Sequence, residues 1–160
     1  MQKVSTESLK NNHLKRIRVI ADFQFGKNTG EYLFPDECEF KLSTTKRIRY
    51  VLLDGDRVAT VRANDGRLTL SNKGASRLYE CLKEPGYRVN IKSEVSSFVE
   101  SGKNAMAKHV VSADENIRAG DEVLVCDESG RLIATGSALL SGEEMTAFNY
   151  GVAVQIRKGS

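Results

Sequence analysis

A glycine that separates a helical pattern from a strand-like pattern sets the strongest limit on how this chain folds. Val95, Phe98 and Val99 recur at i, i+3 and i+4, which is the spacing of one face of a helix. Gly102 follows this pattern at the position where a helix commonly ends in a residue with the left-handed conformation. The pattern then changes, and we expect a strand from Asn104 to Val111. This helix–glycine–strand unit predicts a compact C-terminal module that closes around it.

Polar side chains cluster directly after this glycine. Lys103, Asn104, Lys108 and His109 supply hydrogen-bond donors, and Gly102 lets another backbone come close. The combination is typical of a binding surface. On these residues alone, an ordinary helix C-cap followed by a half-exposed strand is the alternative interpretation.

The remaining C-terminal sequence predicts short strands joined by tight turns. Ser141 and Glu144 have the spacing of a capping box, which opens a helix with Met145 and Phe148 on its inner face. The expected elements are a strand over Tyr87–Ile91, a helix over Glu94–Ser101, strands over Val123–Asp127 and Arg131–Ala138, and a last strand beginning at Gly151.

This part of the chain resembles a known family of small barrels. The resemblance lies in Ile117–Asp127, Leu132–Ala138, Gly151–Val154 and Lys158, which occur in the order seen in the PUA domain. That family is named for pseudouridine synthases and archaeosine transglycosylases. The resemblance covers about Tyr87 to Lys158 and implies a pseudobarrel that binds structured RNA.

The N-terminal part begins with a helical pattern. Leu14, Ile17, Ala21 and Phe25 approximate one helical stripe, which predicts an amphipathic helix from about Lys10. The helix is expected to end near Gly26. Residues 1–12 are polar and are predicted to be a flexible N-terminus.

A meander of short strands is predicted from Glu39 to Ser71. Asp54-Gly55 and Asn64-Asp65-Gly66 are turn signals between strand-like segments. Arg47 and Arg49 lie two residues apart on one strand, so they project from the same face. A helix is then predicted over Asn72–Glu84, because Pro85-Gly86 stops it.

Several segments of this half resemble the domain that precedes PUA in archaeal tRNA-guanine transglycosylases. They are Arg18–Gly26, Leu33–Pro35, Lys46–Tyr50 and Asn64–Gly66. Those enzymes exchange a guanine in the D-arm of tRNA for a precursor of archaeosine, in a large catalytic barrel with a zinc site. Two modules already occupy the 160 residues, so we expect no catalytic barrel and no base exchange by this chain alone.

The predicted fold class is therefore α+β, with two domains. The first is an N-terminal α/β module with an antiparallel meander over residues 13–86. The second is a PUA-like β pseudobarrel over residues 87–158, and Pro85-Gly86 is the expected boundary.

Charge is divided unequally between the two halves. Lys and Arg outnumber Asp and Glu by five from Met1 to Tyr87, whereas acidic residues are in excess by two from Arg88 to Ser160. A basic half suits attraction to phosphates, although basic faces are also common as solvated surface. No apolar run is long enough for a bilayer and no secretory signal is visible, so we expect a cytoplasmic protein without membrane contact.

Candidate catalytic and metal-binding residues are sparse. Cys38, Cys81 and Cys126 are odd in number and far apart, so we expect small buried side chains and no metal site, disulfide framework or cofactor. Asp22 and Asp65 are expected to be solvated or capping carboxylates. An enzyme with an unrecognised site remains an alternative, and it would need a pocket with convergent titratable groups.

The family resemblance implies a site for tRNA. The acceptor stem and 3′ end would lie on the PUA surface, and the N-terminal module would contact phosphates through basic side chains. The predicted RNA-binding residues are Gly102, Lys103, Asn104, Lys108, His109, Gly151 and Arg157 in the second domain, and Lys46, Arg47, Arg49, Arg16 and Arg18 in the first.

The resemblance predicts a noncatalytic tRNA-binding protein, an accessory to a separate transglycosylase chain. The alternative is a freestanding PUA RNA-binding factor in ribosome assembly or RNA quality control. The two differ in their RNA, since the first requires tRNA with an intact acceptor end.

Overall fold

The chain forms two compact units, Met1–Cys81 and Leu82–Ser160. The computed structural model describes residues 6–157. The first unit contains a four-stranded antiparallel sheet with helices, and the second contains a six-stranded mixed sheet. The predicted α+β class is confirmed. The exact domain bounds, with a break at Pro85-Gly86, stay a prediction.

The first helix, α1, spans Thr6–Phe25. It begins earlier than the predicted start near Lys10, because no glycine or proline interrupts it and the acidic Glu7 favours a helix N-terminus. The part of the predicted flexible N-terminus before residue 6 lies outside the described residues. The predicted apolar stripe from Leu14 to Phe25 is buried, and the helix ends before Gly26, whose φ is 122°.

The antiparallel meander forms as expected. Its turn at Asp54-Gly55 has φ of 52° and 83°, the two positive values that a tight hairpin turn requires. The elements are α2 at Thr29–Leu33 and strands β1 to β4 at Glu39–Leu42, Ile48–Leu53, Asp56–Val61 and Leu68–Leu70, adjacent in that order.

Helix α3 at Asn72–Cys81 follows the meander. The Ser71 hydroxyl accepts a hydrogen bond from the Gly74 N–H at 3.1 Å and caps the helix N-terminus. The helix ends at Cys81, before the predicted end at Glu84. Pro85 lacks the N–H that would donate to the Cys81 carbonyl, and the residue before a proline disfavours the helical conformation. Buried side chains of the helices and strands, including Ile17, Phe34 and Leu78, form the core of this unit.

The strands of the second unit form a nearly closed sheet. They are β5 at Arg88–Ile91, β6 at Ala105–Met106, β7 at Val110–Ala113, β8 at Glu122–Cys126, β9 at Leu132–Ala138 and β10 at Val152–Ile156. Their order is β6-β10-β9-β8-β5-β7, with β5 parallel to β8.

The predicted single strand over Asn104–Val111 is wrong. It is divided into β6 and β7, which lie at opposite edges of the sheet and are joined by the 3₁₀ turn Ala107–His109. The chain turns here because β6 pairs with β10, whereas β7 pairs with β5. This crossing joins the two edges and produces the pseudobarrel.

Two short helices lie on the barrel. Helix α4 spans Ser96–Glu100 and follows a 3₁₀ turn. Of the apolar helix face predicted from the sequence, Val99 is buried but Phe98 is exposed. Helix α5 spans Gly142–Ala147, and its predicted capping box between Ser141 and Glu144 is confirmed. Met145 of α5 joins the barrel core.

Within residues 6–157, no helix is both long enough and apolar enough to span a bilayer.

Candidate nucleic-acid interface

A groove of about 910 Å³ in the first unit collects four arginines. Its walls are Arg16 and Ile20 of α1, the turn between β1 and β2 with the start of β2, and the end of β3 with the turn that follows. We call this the basic groove. It is lined by Arg16, Ile20, residues 43–45, residues 47–49 and residues 61–66.

The turn between β1 and β2 places two of these arginines. The Ser43 N–H donates to the Arg47 carbonyl at 2.8 Å, and the Ser43 hydroxyl accepts from the Arg47 N–H at 3.2 Å. Arg47 therefore ends the turn and Arg49 lies on β2, with both side chains lining the basic groove.

The arginines of the groove differ in their pairing. Among the described residues, Arg16, Arg47 and Arg49 are exposed and form no salt bridge. Arg62 is paired with Asp65, and hydrogen bonds from the Arg67 N–H and from Arg62 lower the pKa of that carboxyl. With that pair neutral, three unpaired guanidinium groups make the groove strongly positive.

The other two predicted cations of this unit lie elsewhere. Arg18 donates to the Phe34 carbonyl at 2.9 Å and to Asp36 at 3.0 Å, so it holds α1 against the segment after α2. Lys46 is exposed on the β1–β2 turn with φ 65°, but it is not among the residues that line the groove.

In the second unit, Gly102 ends α4 through a pair of backbone hydrogen bonds. Its N–H donates to the Val99 carbonyl at 3.0 Å, and the Lys103 N–H donates to the Phe98 carbonyl at 3.0 Å. This is the Schellman arrangement, and the φ of 109° at Gly102 suits it. Lys103 is the first residue after this glycine, and its side chain is exposed.

The segment after Gly102 runs antiparallel along β10. The Asn104 carboxamide oxygen accepts from the Ile156 N–H at 3.0 Å, and the Gly151 carbonyl accepts from the Ala107 N–H at 2.9 Å. Lys108 is exposed and His109 is half-buried on the turn beside Gly151. We call this face the Gly102–Gly151 surface, defined by Gly102, Lys103, Asn104, Lys108, His109 and Gly151.

Arg157, the remaining predicted residue, is half-buried directly after β10 and is paired with a carboxylate of the barrel wall. Its guanidinium forms two hydrogen bonds with the Glu122 carboxylate, one of them at 2.9 Å. The Glu122 side chain is only 3% exposed. The geometry therefore gives Arg157 a structural partner.

Sequence reasoning missed Tyr150 and Arg62. Tyr150 is exposed beside Gly151, and its ring lies parallel to that of Phe148. Its position directly before the singled-out Gly151 was the available signal. Arg62 lies in the groove beside the turn signal Asn64-Asp65-Gly66, and only the folded meander shows that this turn faces Arg47 and Arg49.

The thiols are arranged for packing. Cys38 and Cys126 are buried, and burial raises the pKa of each to about 11, so both remain protonated at neutral pH. Asp22 accepts a hydrogen bond from the Gly30 N–H at 2.7 Å, which is the capping role expected from the sequence. Within residues 6–157, the structure has no group of three or more His, Cys, Asp or Glu side chains that could hold a metal ion.

Two family models match the chain, one to each half. The patch-forming domain C2 of tRNA-guanine transglycosylase matches residues 15–85, and the PUA domain matches residues 87–159.

Curated relatives extend this match to both halves together. The tRNA-guanine(15) transglycosylase of Methanothermobacter thermautotrophicus is 43% identical over 147 residues, 91% of this chain and 22% of the relative. That of Pyrococcus furiosus is 47% identical over 148 residues, 92% of this chain and 25% of the relative. The chain thus spans about a quarter of the length of these relatives.

Solved structures show the same fold. A hypothetical protein of Pyrococcus horikoshii has a TM-score of 0.70 at 25% identity, covering 92% of this chain and 90% of that one. A conserved PUA domain protein from Thermoplasma acidophilum has a TM-score of 0.64 at 19% identity, covering 98% and 91%. The expected resemblance is confirmed by the two family models and the curated relatives: the chain carries a C2 domain and a PUA domain, and over about 90% of its length it is similar to the C-terminal part of archaeal tRNA-guanine(15) transglycosylases.

Proposed function

We propose that this protein binds tRNA through the basic groove and the Gly102–Gly151 surface. The observation on which the proposal rests is the set of three unpaired arginines, Arg16, Arg47 and Arg49, around one groove of about 910 Å³. The similarity to the transglycosylases supports the choice of tRNA, since those relatives are named for action on tRNA.

The basic groove suits the sugar-phosphate backbone. Guanidinium groups bind phosphates in a bidentate manner, and release of counterions from the RNA favours the complex. Ser43, Thr44 and Thr45 add hydroxyl groups to the same wall. These contacts fix the position of the RNA and are independent of its sequence.

The Gly102–Gly151 surface is proposed to receive the acceptor stem and 3′ end. Lys103 and Lys108 are exposed cations at the two ends of a segment that lies along β10. Side chains cannot read the deep, narrow groove of an RNA helix, so recognition here depends on shape and backbone contacts.

The chain is proposed to act as a noncatalytic accessory of a separate transglycosylase chain. The relatives that it matches are about four times as long as the matched region, and the proposal assigns the catalytic part to a separate chain. Val19 and Phe23 support a protein partner, because they lie at i and i+4 on α1 and are 61% and 94% exposed. When an RNA-binding chain and a catalytic chain associate, binding of the RNA by one chain raises its effective concentration near the other. The complex therefore binds the RNA more tightly than either chain alone.

The test is a salt titration of RNA binding. We expect Arg47→Ala with Arg49→Ala to weaken tRNA binding and to make the slope of log K against log salt shallower by about 2, roughly one per lost phosphate contact. The matched control is Lys27→Ala with Lys83→Ala, which removes the same charge from exposed positions outside both surfaces. An unchanged slope in the arginine variant would remove the groove from the RNA site.

The choice of RNA is tested with the unmodified protein. We expect intact tRNA to bind more tightly than tRNA trimmed at its 3′ end, and more tightly than a ribosomal RNA fragment. Equal binding to all three favours the freestanding RNA-binding factor, and absence of binding overturns the RNA assignment.

A further inference from the structure

An exposed aromatic ring lies at the Gly151 end of the Gly102–Gly151 surface. Tyr150 is 76% exposed, more than any other aromatic side chain described in the second unit. Among residues 6–157, no hydrogen bond or ion pair engages its hydroxyl group. Burial of an apolar ring normally contributes to stability, so one left in water at the edge of a cationic surface requires an explanation.

The ring is held in a defined orientation by Phe148. The two rings are nearly parallel, at 2° with centroids 5.8 Å apart. Phe148 packs against the barrel core, and its N–H donates to the Glu144 carbonyl at 2.9 Å at the end of α5. Stacked on one side and mostly exposed, Tyr150 presents its other face to solvent.

The backbone beside this ring is open and lies beside the turn that carries Lys108. Gly151 has φ 89°, and apart from its chain neighbours no atom lies within 4 Å of where a Cβ would be. Its carbonyl accepts from the Ala107 N–H, which brings the turn with Lys108 next to it. An exposed aromatic ring, an open backbone and a turn that carries an exposed lysine therefore lie at the same end of the surface.

Single-stranded nucleic acid is recognised by this combination. Unpaired bases stack on exposed aromatic rings while cations attract the adjoining phosphates. A base inside a duplex is already stacked on both faces, so only an unpaired nucleotide offers a free face to the ring. The cation beside the ring favours a nucleotide over an apolar protein segment.

We propose that Tyr150 stacks on an unpaired base of the bound RNA, so that this surface selects RNA with a single-stranded segment next to a stem. The inference rests on the proposed RNA-binding function and adds to it a residue that contacts an unpaired base. Lys108 contacts the phosphate of the same segment.

The test compares two RNA hairpins with the full chain. One has a short 3′ overhang of ordinary nucleotides, and in the other the overhang is abasic, which keeps the phosphates and removes the bases. Tyr150→Ala should weaken binding of the first hairpin by on the order of tenfold and leave the second unchanged. Tyr150→Phe keeps the ring and should bind as the unmodified protein does.

A second readout reports the stacking itself. A 2-aminopurine in the overhang should lose fluorescence on binding to the unmodified protein and to Tyr150→Phe, but not to Tyr150→Ala. Equal weakening of both hairpins, or no effect on either, overturns the stacking role. If salt-dependent hairpin binding persists in those cases, the RNA-binding function stands, whereas loss of any salt-dependent binding by the unmodified protein overturns both.

Discussion

Arginine residues that were all predicted from the sequence to bind RNA have different roles in the folded protein. Arg47 and Arg49 face the basic groove without a carboxylate partner, whereas Arg157 is paired with the buried Glu122. Glu122 begins β8 and Arg157 follows β10, with β9 between them in the sheet. The ion pair therefore bridges a whole strand.

This pairing predicts a stability effect. Arg157→Ala removes the guanidinium group that forms two hydrogen bonds with the buried Glu122 carboxylate, so the free energy of unfolding should fall by about 3 to 5 kcal/mol. Urea denaturation measures it. At temperatures where the variant is folded, its RNA affinity should equal that of the unmodified protein.

A double substitution separates the ion pair from other effects. Glu122→Leu combined with Arg157→Met removes both charges and should recover most of the lost stability, because no buried charge remains. If Arg157→Ala weakens RNA binding in the folded state instead, Arg157 belongs to the RNA site.

At the scale of elements, the turn after α4 determines where the Gly102–Gly151 surface begins. The φ of 109° at Gly102 lies in the region that side chains with a Cβ disfavour. Gly102→Ala should therefore lower the free energy of unfolding by about 1 to 2 kcal/mol, measured by thermal or urea denaturation.

Ser97→Ala in the same helix is the matched control. Ser97 is exposed and in helical conformation, so alanine there should be neutral or slightly stabilising. Equal stability of the two variants would mean that the turn does not depend on glycine.

At the scale of the whole molecule, the exposed apolar side chains of Val19 and Phe23 on α1 are expected to contact the proposed catalytic partner. Val19→Ser with Phe23→Ser should weaken association with the catalytic part of the Methanothermobacter thermautotrophicus relative by about tenfold or more, because two exposed apolar side chains lose their contact. Association can be measured by calorimetry, using that relative without its matched C-terminal quarter.

RNA binding should be retained in the same variant, since neither residue lines the basic groove. Leu139→Ser, at an exposed apolar position on the second unit, is the control and should associate normally. Absence of association with the unmodified protein would contradict the accessory role.

Most of the fold was predictable because its signals are local. Asp54-Gly55 determines a hairpin within four residues, Ser141 and Glu144 cap a helix within one turn, and Gly102 ends α4 through adjacent peptide groups. The buried stripe of α1 likewise follows from a repeat of three to four residues.

Part of the candidate site was predictable because its residues are close together in the chain. Arg47 and Arg49 both line one groove as expected, although Arg47 lies on the turn before β2 and the intervening Ile48 lines the groove as well. The exposure of Tyr150 and the contribution of Arg62 were not predictable, because they depend on neighbours contributed by α5 and by the folded meander.

The amino-acid sequence by itself determined the resemblance to the two domains, and it determined most element types and turn positions because these depend on residues close together in the chain. The tertiary structure alone decided that residues 104–111 cross between two sheet edges, and that Arg157 is paired while Arg47 is not. The physical reason is distance along the chain. A strand's partner and a charge's partner are set by sheet order, which joins Glu122 to Arg157 across 35 residues.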